Sequence, residues 1–218
     1  MLNISQKAAT TSLVLLAFIC LASSMQSFKA PWFCHDLDCP PYNVTTKASD
    51  YEIRTYQGGL WASTNIASKV FRNATSIGFQ RLFNYIDGGN EFKQKIPMTA
   101  PVRVKVIASQ GPFCDSNFTE SFYLPYKYQH WQPNPEVVPK PSNPLVFIDE
   151  DQFTTEKFAV IEFSGYATDE DLVTNAKKLV TALEKDGVKF DESSYFYAGY
   201  DPPFRLFNRH NEVWVKLL

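Results

Sequence analysis

Histidine and cysteine carry the metal-binding, nucleophilic and cross-linking chemistry open to this chain, which has 3 His and 4 Cys. His35, His130 and His210 are scattered, and none has a second histidine at helical spacing. Cys34-His35-Asp36-Leu37-Asp38-Cys39 is the densest cluster. In an oxidising compartment Cys34 and Cys39 could close a small disulfide loop, with Cys114 free or paired with either, so three single-bridge pairings stay open. A metal site of Cys34, His35 and Cys39 is the sharper alternative, but ligands crowded into one short loop without a second pair do not match zinc-finger spacing. Cys34 beside His35 is not the separated pair that a cysteine nucleophile uses. No G-x-S-x-G, H-E-x-x-H, P-loop or G-x-G-x-x-G string occurs, so the chain reads as a non-enzyme. Of the acidic runs, Asp169-Glu170-Asp171 reads as a helix start and Asp149-Glu150-Asp151 as a solvated turn.

The elements around these residues follow from periodicity. Strands are expected at Tyr51 to Tyr56 and Leu60 to Ile66, joined as a hairpin through Gly58-Gly59. A helix follows from about Ser76 to Asp87, with Phe79, Leu82, Phe83 and Ile86 as its buried stripe and Gly88-Gly89 ending it. Val102 to Val106 alternates apolar and charged residues as a strand does, and another strand lies near Ser121 to Tyr126. Met98 sits between Pro97 and Pro101 and reads as structural. Five prolines between Pro133 and Pro144 mark a connector. Beyond it the order returns: strands at Leu145 to Ile148 and Phe158 to Tyr166, then a capping box and acidic first turn at Thr168 to Asp171. The second helix buries Leu172, Val173, Ala176, Leu179, Val180 and Leu183 and stops at Gly187. Strands at Ser194 to Tyr200 and Val213 to Leu217 close the chain. Two such halves would join their sheets into one antiparallel, barrel-like core with both helices outside, or form one larger sheet with two helices.

Residues 1–24 carry Lys7, the apolar run from Leu13 to Ala22, and then small residues, which reads as a secretory signal peptide. The run is about half the roughly 20 residues that a membrane-spanning helix needs, so no membrane anchor is expected. Three sequons, at Asn43, Asn73 and Asn117, fit an exported glycoprotein. The net charge of -2, with no basic stripe, gives no footprint for nucleic acid. Aromatic residues make up 15% of the chain, which favours strands and pockets over long polar helices.

Phe79-Gln80-Arg81-Leu82-Phe83-Asn84-Tyr85-Ile86-Asp87-Gly88-Gly89-Asn90 leads into Lys95-Ile96-Pro97-Met98-Thr99-Ala100-Pro101-Val102, and Ala198-Gly199-Tyr200-Asp201-Pro202-Pro203 precedes Asn208-Arg209-His210-Asn211-Glu212-Val213-Trp214. These strings, with Gly111-Pro112-Phe113 and Val146-Phe147-Ile148, resemble the SOUL/haem-binding protein family over roughly Tyr42 to Leu218. The resemblance implies an α+β fold: a distorted antiparallel β-barrel of two pseudo-symmetric halves with one helix on each. The expected layout is a signal peptide at 1–24, an N-terminal extension at 25–50 holding Cys34 and Cys39, and the SOUL domain at 51–218. Its halves span about 51–132 and 145–218, with the proline-rich connector at 133–144. The signal and the two early cysteines are unlike intracellular members of the family.

The resemblance also implies non-enzymatic binding of haem or a related porphyrin in a groove beside the first helix. A porphyrin offers a broad apolar plane and two propionates, so its groove needs apolar walls and cations at the rim, with an axial ligand optional. Family positions carry this to Phe83 and Asn84 on the first helix, and to Arg205, beside Phe204, as a propionate partner. Arg81 would supply a cation from the same helix. An axial ligand, if used, falls to His130 or His210. The expected function is a secreted haem carrier or scavenger. The alternative is a secreted interaction or matrix protein that kept the barrel without the ligand.

Overall fold

The computed structural model describes residues 28–107, 116–149 and 155–218. The leader-like residues 1–24, Cys114, Gly111-Pro112-Phe113 and the acidic pair Glu150-Asp151 lie outside them. A single 3-10 turn, Trp32–Cys34, precedes strands β1 (Tyr42–Lys47), β2 (Glu52–Tyr56) and β3 (Trp61–Ser68). Helix α1 (Phe71–Ile86) leads to β4 (Val102–Ile107), β5 (Ser116–Tyr123) and β6 (Val146–Asp149). Then come β7 (Glu156–Phe163), α2 (Asp169–Lys185), β8 (Tyr195–Gly199) and β9 (Asn211–Lys216).

Among the described residues the nine strands form one antiparallel sheet in the order β1-β2-β7-β9-β8-β4-β5-β3-β6, open at β1 and β6. From the β4–β8 junction the order runs β4-β5-β3-β6 one way and β8-β9-β7-β2 the other, so the two halves mirror each other. Each half lends its opening strand to its partner: β2 pairs with β7, and β6 with β3. The hairpin expected at Gly58-Gly59 is therefore absent, since β2 and β3 do not pair. Gly59 instead allows a close approach, because a Cβ there would sit 2.8 Å from the Tyr123 ring and 3.0 Å from the Gln129 amide oxygen. Strand β1 was not expected in the extension at all.

Helix α2 starts where its sequence says. Thr168 and Asp171 form the capping box, and Gly187 takes a φ of +68° just past the end. Its buried face is Leu172, Asn175, Ala176, Leu179 and Leu183, while Val173 is exposed. Helix α1 begins five residues before the expected Ser76, because the Phe71 N–H is capped by Asp169 Oδ2 of α2 at 3.2 Å. Its buried face is Phe71, Ala74, Gly78, Leu82, Tyr85 and Ile86. Leu82 and Ile86 meet the expectation, but Phe83 is exposed and Phe79 reaches only the edge of the core, against Phe122.

Strand alternation divides the interior between the two faces of the sheet. Ala159, Val213 and Val215 pack toward α2 with Leu179 and Leu183. Phe158, Val160 and Trp214, one residue out of step, point to the other face, where they meet Tyr56, Phe196, Tyr200, Phe33 and both Cys34 and Cys39. The extension is thus part of the core. Burying Phe33, at 5% exposure, contributes on the order of 1.5–3 kcal/mol, about what a core phenylalanine gives.

Candidate functional site

The extension is fastened to the sheet at successive residues. Cys34 and Cys39 are joined as a disulfide with a Cα–Cα distance of 6.1 Å, which removes both thiols from metal binding and ends the Cys-His-Cys alternative. The Phe33 ring stacks on His210 at 3.8 Å with planes 3° apart. His35, at a positive φ of 55°, bonds through Nε2 to Asp201 Oδ1 at 3.0 Å. Asp38 accepts the Tyr126 N–H at 2.8 Å, and the Tyr126 hydroxyl donates to the Cys39 carbonyl at 2.6 Å.

Behind this segment lies a buried ion network. Arg54, 1% exposed, donates from Nη1 to Glu212 Oε1 at 2.7 Å, from Nη2 to Glu162 Oε1 at 2.8 Å and from Nε to Glu52 Oε2 at 3.1 Å. Glu212, fully buried, also meets His210 Nε2 at 2.8 Å on Oε1, and accepts the Tyr200 hydroxyl at 2.9 Å and Trp214 Nε1–H at 2.7 Å on Oε2. Burial alone would raise the Glu212 pKa, but the His210 bond and the Arg54 charge hold it below the usual glutamate value. Burial pushes the Tyr200 phenol well above its ordinary value, and the neighbouring Glu212 charge adds to that. Glu162, His210 and Glu212 present ligand atoms within 4.8 Å of one another, yet the Arg54 guanidinium already bridges the two carboxylates. The cationic place in that cluster is taken by protein.

The β8–β9 loop, residues 201–210, is held from inside. Arg209 donates to the carbonyls of Asp201, Pro202 and Arg205 and lies 4.4 Å from the Tyr166 ring centroid. The Tyr166 hydroxyl donates to Pro203 and Arg205 carbonyls. Asp201 collects His35 and Arg205 Nε on Oδ1, both at 3.0 Å, and the His210 N–H on Oδ2. A fixed frame therefore displays Phe204, Leu206 and Phe207, which are 81%, 67% and 79% exposed. Exposed apolar side chains on an ordered loop mark a contact surface.

Between this loop, the end of β7 and the extension opens a cleft of about 650 Å³, lined by Trp32, Glu162, Phe163, Arg205, Arg209 and His210 among others. It unites two of the expected site residues, Arg205 and His210. Arg205 Nε is committed to Asp201 and to the Phe207 carbonyl at 3.1 Å. Among the described residues its terminal nitrogens carry no bond. His210 is 6% exposed, with Nε2 on Glu212.

The other expected residues lie elsewhere. Phe83 and Phe79 stack on each other at 5.9 Å on α1, 41% and 37% exposed, and Phe79 also packs edge-on against the buried Phe122 at 5.3 Å. Asn84 accepts from Gln80 at 3.2 Å, and Arg81 is turned onto Thr64 and the Asn65 carbonyl. Among the described residues no bond, ring contact or cavity lining joins this group to Phe204 or Arg205. His130 sits exposed in the turn after Tyr128 and belongs to neither group. Trp32, Arg54, Asp201, Arg209 and Glu212 were not singled out from the sequence. Only the charged Arg54 inside an otherwise strand-like run offered a signal.

The SOUL heme-binding protein family model matches residues 37–216. Heme-binding protein 2 of Homo sapiens is 38% identical over 175 residues, covering 80% of this chain and 82% of that protein. Heme-binding protein 1 of Xenopus laevis is 32% identical over 164 residues, covering 75% of this chain and 82% of its own. Among solved structures, the C-terminal domain of EcmrR superposes with a TM-score of 0.57 at 8% identity, covering 81% of this chain and 98% of that one, a likeness of fold alone.

Proposed function

The chain belongs to the SOUL heme-binding protein family, and from that premise we propose that it binds haem or a related tetrapyrrole without turning it over, as a secreted carrier or scavenger. The observation that carries the reading is the cleft. Trp32 and Phe163 are the aromatic residues of its lining, Arg205 stands at its rim with terminal nitrogens that carry no bond among the described residues, and the apolar tip of the β8–β9 loop adjoins it in the chain. This suits the plane of a porphyrin and one of its propionates. The fit is to the ring and its edge. His210 faces the cleft with Nε2 already on Glu212, so an axial bond to iron is not part of the reading.

Export is supported by the leader-like residues 1–24, by the Cys34–Cys39 disulfide, and by the exposure of Asn43, Asn73 and Asn117. Titration of the purified protein with haemin should give a saturable absorbance change near one equivalent. Arg205→Glu should raise Kd about tenfold by replacing an attraction with a repulsion at a partly exposed rim. An unsaturable titration, or one matched by an unrelated protein of similar exposed apolar area, overturns the reading. The commitment of Arg205 Nε to Asp201 favours one other reading, a secreted interaction or matrix protein that uses the loop tip to bind protein. Specific capture of a partner together with negligible haemin affinity would select it.

A further inference from the structure

The family match begins at residue 37, yet the cleft has a wall that lies before it. Trp32 is 65% exposed, and it stands in a segment whose next two residues, Phe33 and Cys34, are 5% and 1% exposed. Its indole lies nearly perpendicular to Phe33, at 5.8 Å and 80°, and to His210, at 5.9 Å and 76°. Those two rings are stacked on each other, so Trp32 rests against a fixed pair. The backbone beneath it has little freedom. Phe33 is locked on His210, Cys34 is bonded to Cys39, and His35 is bonded to Asp201, the carboxylate that also holds Arg205.

A large aromatic side chain displayed on so constrained a turn loses little conformational entropy when a flat ligand covers it. Rigidity alone does not identify what covers it; the surroundings do. The same lining carries Phe163, and Arg205 and Arg209 come from the loop, while Glu162 in it is ion-paired with Arg54. The arrangement offers aromatic side chains and one rim cation, Arg205, which is the complement of a planar apolar molecule with an acidic edge.

We propose that Trp32 is a ligand-contacting, specificity-determining residue of the cleft, and that the disulfide-closed turn 31–39 is a built part of the binding site rather than a leader remnant. The inference rests on the tetrapyrrole reading above and adds to it Trp32, which lies before the residues that the SOUL family model matches.

The test uses the mature, oxidised, full-length chain. Haemin and an iron-free porphyrin are titrated against the wild type, Trp32→Ala, Trp32→Phe and the double variant Cys34→Ser/Cys39→Ser, with the unfolding temperature of each recorded. Trp32→Ala should raise Kd for both probes about three- to tenfold, the range of one lost aromatic stack, with an unchanged unfolding temperature; Trp32→Phe should restore most of the affinity. The cysteine variant should also bind more weakly, with the porphyrin loss exceeding what its change in unfolding temperature explains. If the wild type saturates and Trp32→Ala binds both probes equally well, the inference is wrong and the tetrapyrrole reading stands. If the wild type itself does not saturate, both fall.

Discussion

Replacing Glu212 by Gln tests whether the buried network is an ion cluster that the fold depends on. The side chain has four donors around it: Arg54 Nη1 and His210 Nε2 at Oε1, and the Tyr200 hydroxyl and Trp214 Nε1 at Oε2. Arg and Trp nitrogens can only donate, so a glutamine amide must aim its NH2 at one of them whichever way it is turned. The carboxylate also supplies the negative charge nearest to a guanidinium that is 1% exposed. Breaking a buried pair by removing one partner costs about 3–5 kcal/mol, which for a chain of this size lowers the unfolding temperature by roughly 6–20 °C. Because the folded Glu212 pKa lies below its unfolded value, its contribution is present above the ordinary glutamate range and lost as pH falls through the lowered value. The penalty of Glu212→Gln should therefore shrink in acid. Urea unfolding of the wild type, Glu212→Gln, Arg54→Met and the double variant gives the coupling energy directly. A single-variant loss under about 1 kcal/mol, or strict additivity in the cycle, would refute the account of a coupled buried cluster.

Glu120 gives the opposite pH sign. It is 1% exposed beneath Gly78 of α1, its Oε2 has no hydrogen-bond partner among the described residues, and burial raises its pKa well above the usual value. The folded state holds this proton, so wild-type stability should fall as pH rises from the ordinary glutamate range toward the raised value, by up to about 1.4 kcal/mol per pH unit; Glu120→Gln should remove that slope. Urea midpoints at pH 5 and 7.5 decide it, and a wild-type-minus-Gln difference that stays flat would count against a neutral buried carboxyl. On the helix, Phe79→Ala with Phe83→Ala should leave haemin affinity within about twofold, since neither ring lines the cleft. A larger loss there than from Arg205→Glu would move the site to α1.

What the sequence showed and what it hid divide by the range of the interactions. Thr168, Asp171 and Gly187 act within a few residues of themselves, and the α2 boundaries could be read from them. The start of α1 could not, because its cap comes from Asp169, 98 residues away. Gly58-Gly59 looked like a hairpin because a Gly-Gly pair between strand-like runs usually is one. Here the glycine serves the approach of Tyr123, and the strand exchange between halves sends β2 elsewhere. Phe79 and Phe83 satisfied the helical period with Leu82 and Ile86, but a three-to-four spacing admits two neighbouring stripes, and only the sheet decides which is buried. Arg54 finds Glu212 across 158 residues and Glu162 across 108, a separation no local pattern encodes.

His210 joins the two parts of the site, and its position limits how the cleft can work. One side of the ring is covered by Phe33 at 3.8 Å, its Nε2 lies on Glu212, and its N–H is fixed by Asp201. A ligand that took Nε2 would strip one of the contacts holding Glu212 below its usual pKa and leave a fully buried carboxylate short of a partner. The cost is about 1–3 kcal/mol before any new bond is counted. Contact with Trp32, Phe163 or Arg205 asks for no such rearrangement, because Trp32 is exposed and, among the described residues, the Arg205 terminal nitrogens carry no bond. The same residues that make His210 a poor ligand hold the cleft walls in place: Asp201 fixes both Arg205 and the His35 turn, and Phe33 seats Trp32. Rigid support around the cleft and a ring nitrogen withheld from it are thus two consequences of one network.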